Sequence, residues 1–172
     1  MERLDVTIIH LVMQNMARPN ADEVRKSCME TLADTHVVYV ETIRQILGRK
    51  GLKAVGDANR KHGLNLGNSA IKAGKLRRGD LHSIFEFFNA AHPYFGFELE
   101  VEDLNENKLD LKVTSCPWLD SFKTRGAGED ICTWVTLIDE GIGQAVDSDV
   151  KLTIPKCMMR GDEYCIYRWT KE

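Results

Sequence analysis

Absences narrow the possibilities for this chain before any motif does. No stretch of its 172 residues approaches the ~20 apolar residues of a membrane span. Neither sign of charge dominates: 23 Lys and Arg against 26 Asp and Glu leave a formal net charge of −3. That balance removes the electrostatic case for a nucleic-acid or anionic-membrane partner. The cysteines, five in all, are too few and odd in number to form the disulfide framework of a small secreted domain. There is no CxxC, no HxxxH or HExxH, no GxSxG and no phosphate-cradling glycine loop, so the common zinc, metallohydrolase, hydrolase-elbow and nucleotide signatures are missing. Glu2 and Asp5 break up any basic leader ahead of the apolar run Val6–Met13, which reads as a first helix packing on the domain. The expectation is one cytoplasmic domain over residues 1–172 with reduced thiols, 43% apolar and 28% charged, large enough to bury a core without staples.

What is present divides by period. Residues 1–92 read as helical. Asn20 with Glu23 suits a capping box, and Val24, Cys28, Leu32, Thr35, Val38, Tyr39, Ile43 and Ile46 recur at helical spacing up to Gly48 or Gly51. A shorter helix, Leu52 to His62, is expected to end at Gly63, with a loose glycine-containing stretch after it. Asp80 caps a helix from Leu81 to Ala91, which Pro93 closes. Residues 93–172 switch to alternation. Phe97, Leu99 and Val101, then Leu109, Leu111 and Val113, form a hairpin around DLNEN; Val150, Leu152 and Ile154, then YCIYRW, form a second. Between them lie a short helix after Pro117 and an amphipathic helix from about Gly128 to Val146. The fold class is α+β, a helical half on an antiparallel sheet of two hairpins with a helical insertion.

Three places carry chemistry. Cys116 precedes Pro117 at a strand-to-helix junction, where free amides and the positive end of the helix dipole favour a thiolate; the alternative is a small buried residue closing the hairpin. Cys157 and Cys165 face each other if Arg160-Gly161-Asp162 is a three-residue loop, whereas a two-residue loop sets Cys157 against Tyr164. Facing thiols could share a metal, oxidise together, pack, or line a ligand. Asp139 lies at the edge of the apolar stripe Ile131, Val135, Ile138 and Ile142; there it is either a desolvated acid of raised pKa, fit for proton transfer, or a solvated residue near the helix end. His36 and His82 discriminate little, and His92 could reach the end of the sheet. The basic run Lys72 to Arg78 lacks aromatics and reads as a solvated face.

The order CPWLDSFKTRG, a helix with LIDEGI, and KLTIPKCMMRGDEYCIYRW resembles the L-2-amino-thiazoline-4-carboxylic acid hydrolase-like family, and its closing strand is similar to that of 4-vinyl reductase domains, which bind small molecules. The resemblance points to Cys116, Asp139, Gly161, Asp162 and Cys165. It implies hydrolytic opening of a cyclic amidine or cleavage of a small C–N bond, with Cys116 as nucleophile and Asp139 moving the proton. Where the family often has a cysteine three residues before the helical Asp, this chain has Thr136. That departure motivates the alternative of a non-catalytic small-molecule-binding domain, with a pocket lined by Phe85, Phe88, Phe97, Trp134 and Cys165. A third possibility is zinc or another thiolate-bound metal on Cys116, Cys157 and Cys165; otherwise no cofactor is expected. A homodimer through the long helix is expected, since symmetric dimers are the commonest oligomers.

Overall fold

A computed structural model describes residues 18–171. The apolar run Val6–Met13, expected to be helical, lies outside these residues. Among the described residues, no helix is long and apolar enough to cross a membrane.

Helix α1 (Ala21–Lys72) starts on the expected capping box: Asn20 Oδ1 accepts from the Glu23 amide, and Glu23 Oε2 accepts from the Asn20 amide, both at 2.9 Å. Gly48, at φ 58° and ψ −150°, breaks α1 into two arms. The second arm then runs on through Gly63 and Gly67 to Lys72, where the sequence suggested an end at Gly63. These glycines seat a neighbouring helix. A Cβ on Gly63 would collide with the backbone oxygen of Ile138, and one on Gly67 would lie 2.5 Å from Ala145 Cβ.

The first arm corrects a second expectation. Its buried side is Met29, Ala33, Val37 and Val40, while Val24, Leu32, Val38, Tyr39 and Ile46 of the sequence-derived stripe are exposed. Val24, Val38, Tyr39 and Ile46 thus face outward, Leu32 stands at the edge of a cavity, and Ala33, Val37 and Val40 face inward, where the arm packs close to the helical insertion.

Helix α2 (His82–Asn89) buries Ile84 and Phe88 and leads through a 3-10 turn (His92–Phe95) to the sheet. The strands are β1 (Glu98–Asn105), β2 (Lys108–Ser115), β3 (Val150–Lys156) and β4 (Cys165–Lys171), all antiparallel in the order β1-β2-β4-β3. Between β2 and β3 lie α3 (Leu119–Thr124), α4 (Ile131–Val135) and α5 (Leu137–Val146). The single helix expected over 128–146 is therefore broken at Thr136, whose hydroxyl donates to the Cys132 carbonyl at 2.7 Å.

Register assigns the faces. Leu109, Leu111 and Val113 pair with Trp169, Tyr167 and Cys165, so these six share the inner face under the helices. The opposite face carries ion pairs: Asp110 holds Arg168 through two hydrogen bonds of 2.7 and 2.8 Å, and Lys112 meets Glu100 at 2.9 Å. Two apolar clusters fill the inner side. One is built around Val37, Phe122, Ile131 and three cysteines, the other around Ile84, Phe88, Leu109 and Trp169; Leu99 and Tyr167 pack against both.

Candidate functional site

A cavity of about 300 Å³ lies between the two clusters, at the lower end of the ~300–1,000 Å³ usual for small-molecule pockets. Each element supplies a wall by its register. Met29 and Leu32 come from α1, Phe88 from α2, Leu99 from β1, Leu111 and Val113 from β2, and Tyr167 and Trp169 from β4. His92, Phe95, Phe97 and Trp118 come from the connections, and Val135, Thr136, Ile138 and Asp139 from the α4–α5 region.

Asp139 is the polar exception in this wall. It sits in the first turn of α5, where its amide donates to the Thr136 carbonyl at 2.9 Å. Its carboxylate has no hydrogen-bond or ion-pair partner among the described residues. Burial alone raises its pKa from 3.8 to about 7. The adjacent acid has the opposite fate: Glu140 accepts from Arg60 Nε at 2.5 Å and from the Leu152 amide at 3.2 Å. Glu140 is buried, and Asp139 is half-buried with its remaining surface toward the cavity.

Three further polar groups accompany Asp139. Burial also raises the Tyr167 hydroxyl pKa well above its ordinary value. His92 Nδ1 lies 3.1 Å from the Phe88 carbonyl, and burial lowers its pKa, so the ring is neutral near pH 7 and leaves Nε2 free to accept. Trp118 Nε1 is buried without a partner; its ring packs edge-on against His36 and Phe97 with centroids 5.1 and 5.4 Å apart.

The thiols form a separate group beyond Tyr167. The pairing Lys156↔Ile166 sets Cys157 opposite Cys165, as expected, but the connection between the strands spans residues 157–164 and is not the three-residue loop Arg160-Gly161-Asp162. The intervening turn (Met158–Arg160) is 3-10. Gly161 supplies its left-handed corner at φ 91°, and Asp162 Oδ2 accepts from the Cys157 amide at 2.7 Å. Gly161 and Asp162 therefore build the turn that brings the thiols together. Cys132 and Cys165 both donate to the Cys157 sulfur, which lowers the Cys157 pKa and raises theirs. Cys165 Sγ also accepts from the Met158 amide at 3.3 Å. All five cysteines are free. Among the described residues no group of three or more His, Cys, Asp or Glu side chains could hold a metal ion.

Cys116 is not the cap expected from Pro117: the helix starts at Leu119 with Trp118 at its cap position, although the Cys116 sulfur still accepts from the Trp118 and Leu119 amides. Desolvation outweighs those bonds and moves its pKa up rather than down. It belongs to the thiol group and is absent from the cavity wall, whereas Asp139 is in that wall. Of the predicted ligand-lining residues, Phe88 and Phe97 line the cavity; Phe85, Trp134 and Cys165 lie outside its wall. Trp134 instead donates its Nε1–H to Asp130 at 2.9 Å and packs where Gly56 leaves room. Sequence reasoning missed Trp118, Tyr167 and Trp169 as wall residues. Alternation along β4 carried the signal for two of them, since Tyr167 and Trp169 share a face with Cys165.

A family model for L-2-amino-thiazoline-4-carboxylic acid hydrolase matches residues 8–169. The chain belongs to this hydrolase family. No curated protein matches it. Among solved structures, it is similar to trafficking protein particle complex subunit 3 from Naegleria fowleri, crystallised covalently bound to palmitic acid. The TM-score is 0.57 at 16% identity, over 86% of this chain and 96% of that one. The likeness establishes a shared fold and is consistent with the 4-vinyl reductase-like architecture that the closing strand of this hydrolase-family chain resembles.

Proposed function

We propose that this member of the hydrolase family binds a small, largely apolar molecule in the cavity under its sheet. One observation carries the reading: an aromatic and aliphatic cavity of about 300 Å³ with a single unpartnered carboxylate in its wall. Apolar walls give affinity by removing ligand surface from water, at roughly 25 cal/mol per Å², and one polar group sets orientation. A fold neighbour that holds a palmitoyl group supports an apolar occupant. Native mass spectrometry of gently purified protein tests this and should show a bound small molecule. A cleanly empty protein that turns over thiazoline substrates would contradict it.

A second reading, hydrolysis of a cyclic amidine or small C–N bond, is favoured by the family match and by the Asp139 pKa of about 7, where an acid exchanges protons readily. In that reaction the Cys116 sulfur would add to the electrophilic carbon, Asp139 would pass the thiol's proton to the leaving nitrogen as the C–N bond breaks, and water would then displace the sulfur to release the product and restore the thiol. The raised thiol pKa of Cys116 and its position outside the cavity wall weigh against it. Cys116→Ser decides: under the hydrolytic reading it abolishes turnover with the fold intact.

We also propose that the chain forms a homodimer through the first arm of α1, whose Val38, Tyr39, Ile46 and Leu47 are 56 to 72% exposed. Light scattering should give twice the 19.5 kDa chain mass, and Tyr39→Glu with Ile46→Glu should halve it.

A further inference from the structure

We propose that the cavity selects a ligand carrying a protonated amine on an apolar body, with the amine paired to Asp139 and held among aromatic rings. This rests on the binding reading above and names the chemical class it left open.

The charge inventory of the wall leads there. Its sixteen residues include no Lys or Arg. Among the described residues, three titratable side chains face the cavity: Asp139 from α5, Tyr167 from β4 and His92 from the turn after α2. The wall residues from α1, α2, α4, β1 and β2, and Trp118 ahead of α3, do not titrate. His92, with its Nδ1 at the Phe88 carbonyl, contributes no positive charge near neutral pH. Among the described residues Asp139 is thus an acid without a counter-charge, beside an adjacent Glu140 that has both an arginine and an amide.

An unpaired buried carboxylate is costly, and a charged partner arriving with a ligand relieves that cost. A carboxylate ligand would meet Asp139 with nothing positive to offset it. A zwitterion would pair its amine and leave its own carboxylate stranded among hydrocarbon. An ammonium satisfies the site. It also finds the faces and edges of Phe88, Phe95, Phe97, Trp118, Tyr167 and Trp169 around it, an aromatic set of the kind that attracts cations through ring quadrupoles.

Three probes of one shape separate the possibilities: 3-phenylpropylamine, 3-phenylpropan-1-ol and 3-phenylpropionate, titrated into the whole chain by calorimetry at pH 8. The amine should bind at least tenfold tighter than the alcohol, and the propionate most weakly. Asp139→Asn should bring the amine to the alcohol's affinity while leaving the alcohol unchanged, which also shows that the cavity is intact. In wild-type protein the amine's advantage should shrink from pH 8 to pH 5.5 as Asp139 takes up its proton. Equal binding of amine and alcohol, or a preference that survives Asp139→Asn or is flat with pH, overturns the inference and leaves an apolar binding site standing. Failure of all three probes to bind overturns both this inference and the binding reading beneath it.

Discussion

Asp139→Asn separates desolvation from every other influence on this domain, because the substitution keeps shape and removes only the ionisable proton. In the folded chain burial holds the Asp139 pKa at about 7, against 3.8 when exposed. The native state therefore binds a proton that the unfolded chain has lost, and stability falls as pH rises from about 4 to about 7. At about 1.36 kcal/mol per pKa unit, the full difference is about 4 kcal/mol. Because Asp139 keeps some surface toward the cavity, roughly 2–4 kcal/mol is the expectation at pH 8. Asn cannot ionise, so the variant should match wild type at pH 4 and exceed it by that amount at pH 8. With about 2–4 °C per kcal/mol for a chain of this size, the melting temperature should rise by roughly 5–15 °C at pH 8. Urea unfolding at half-unit pH steps measures the effect directly. Parallel stability curves for the two proteins would refute the desolvation argument.

Other substitutions test the frame around the site. Gly63→Ala should destabilise despite gaining about 1 kcal/mol in helix propensity. Its methyl meets the Ile138 backbone, which cannot yield as a side chain would, and such overpacking costs about 1–3 kcal/mol or more; a urea midpoint at or above wild type would contradict this. Arg60→Ala leaves Glu140 buried with only the Leu152 amide, so a loss of about 2–4 kcal/mol is expected, and Glu140→Gln in the same background should recover part of it. Native thiol titration should give the exposed Cys28 fast and the half-buried Cys116 more slowly, with Cys132, Cys157 and Cys165 reacting only after unfolding; three or more thiols reacting in the native state would show that the cluster opens.

The parts of the fold set by short-range rules were legible in the sequence. Strand alternation placed Leu109, Leu111 and Val113 on one face, the Asn20–Glu23 pair marked the start of α1, and the Asp139 position at the edge of a stripe led to the desolvated acid. What escaped was decided by contacts across the fold. Gly63 looked like a helix terminator because its partner, the Ile138 backbone, is 75 residues away in sequence. The outward-facing stripe of the first α1 arm resembled a core face, since periodicity reports amphipathicity but not which side meets the rest of the protein. Cys116 precedes a helix that starts two residues later than Pro117 suggested, and burial by residues distant in sequence moves its pKa up.

The break at Gly48 has a mechanical consequence. The second arm of α1 is locked against α5 by backbone contacts at Gly63 and Gly141. The first arm, which carries Met29 and Leu32 to the cavity, packs Ala33, Val37 and Val40 into the core and adds charged contacts to the segment before α4: Arg44 to Asp130, Glu41 to the Gly128 amide and Asp34 to Arg125. One wall of the cavity thus owes part of its attachment to partly exposed charges, while the wall bearing Asp139 is clamped by backbone contact. Dissolved salt weakens such charged contacts and leaves a steric clamp untouched. High ionic strength should therefore loosen the wall carrying Met29 and Leu32 before it disturbs the wall carrying Asp139.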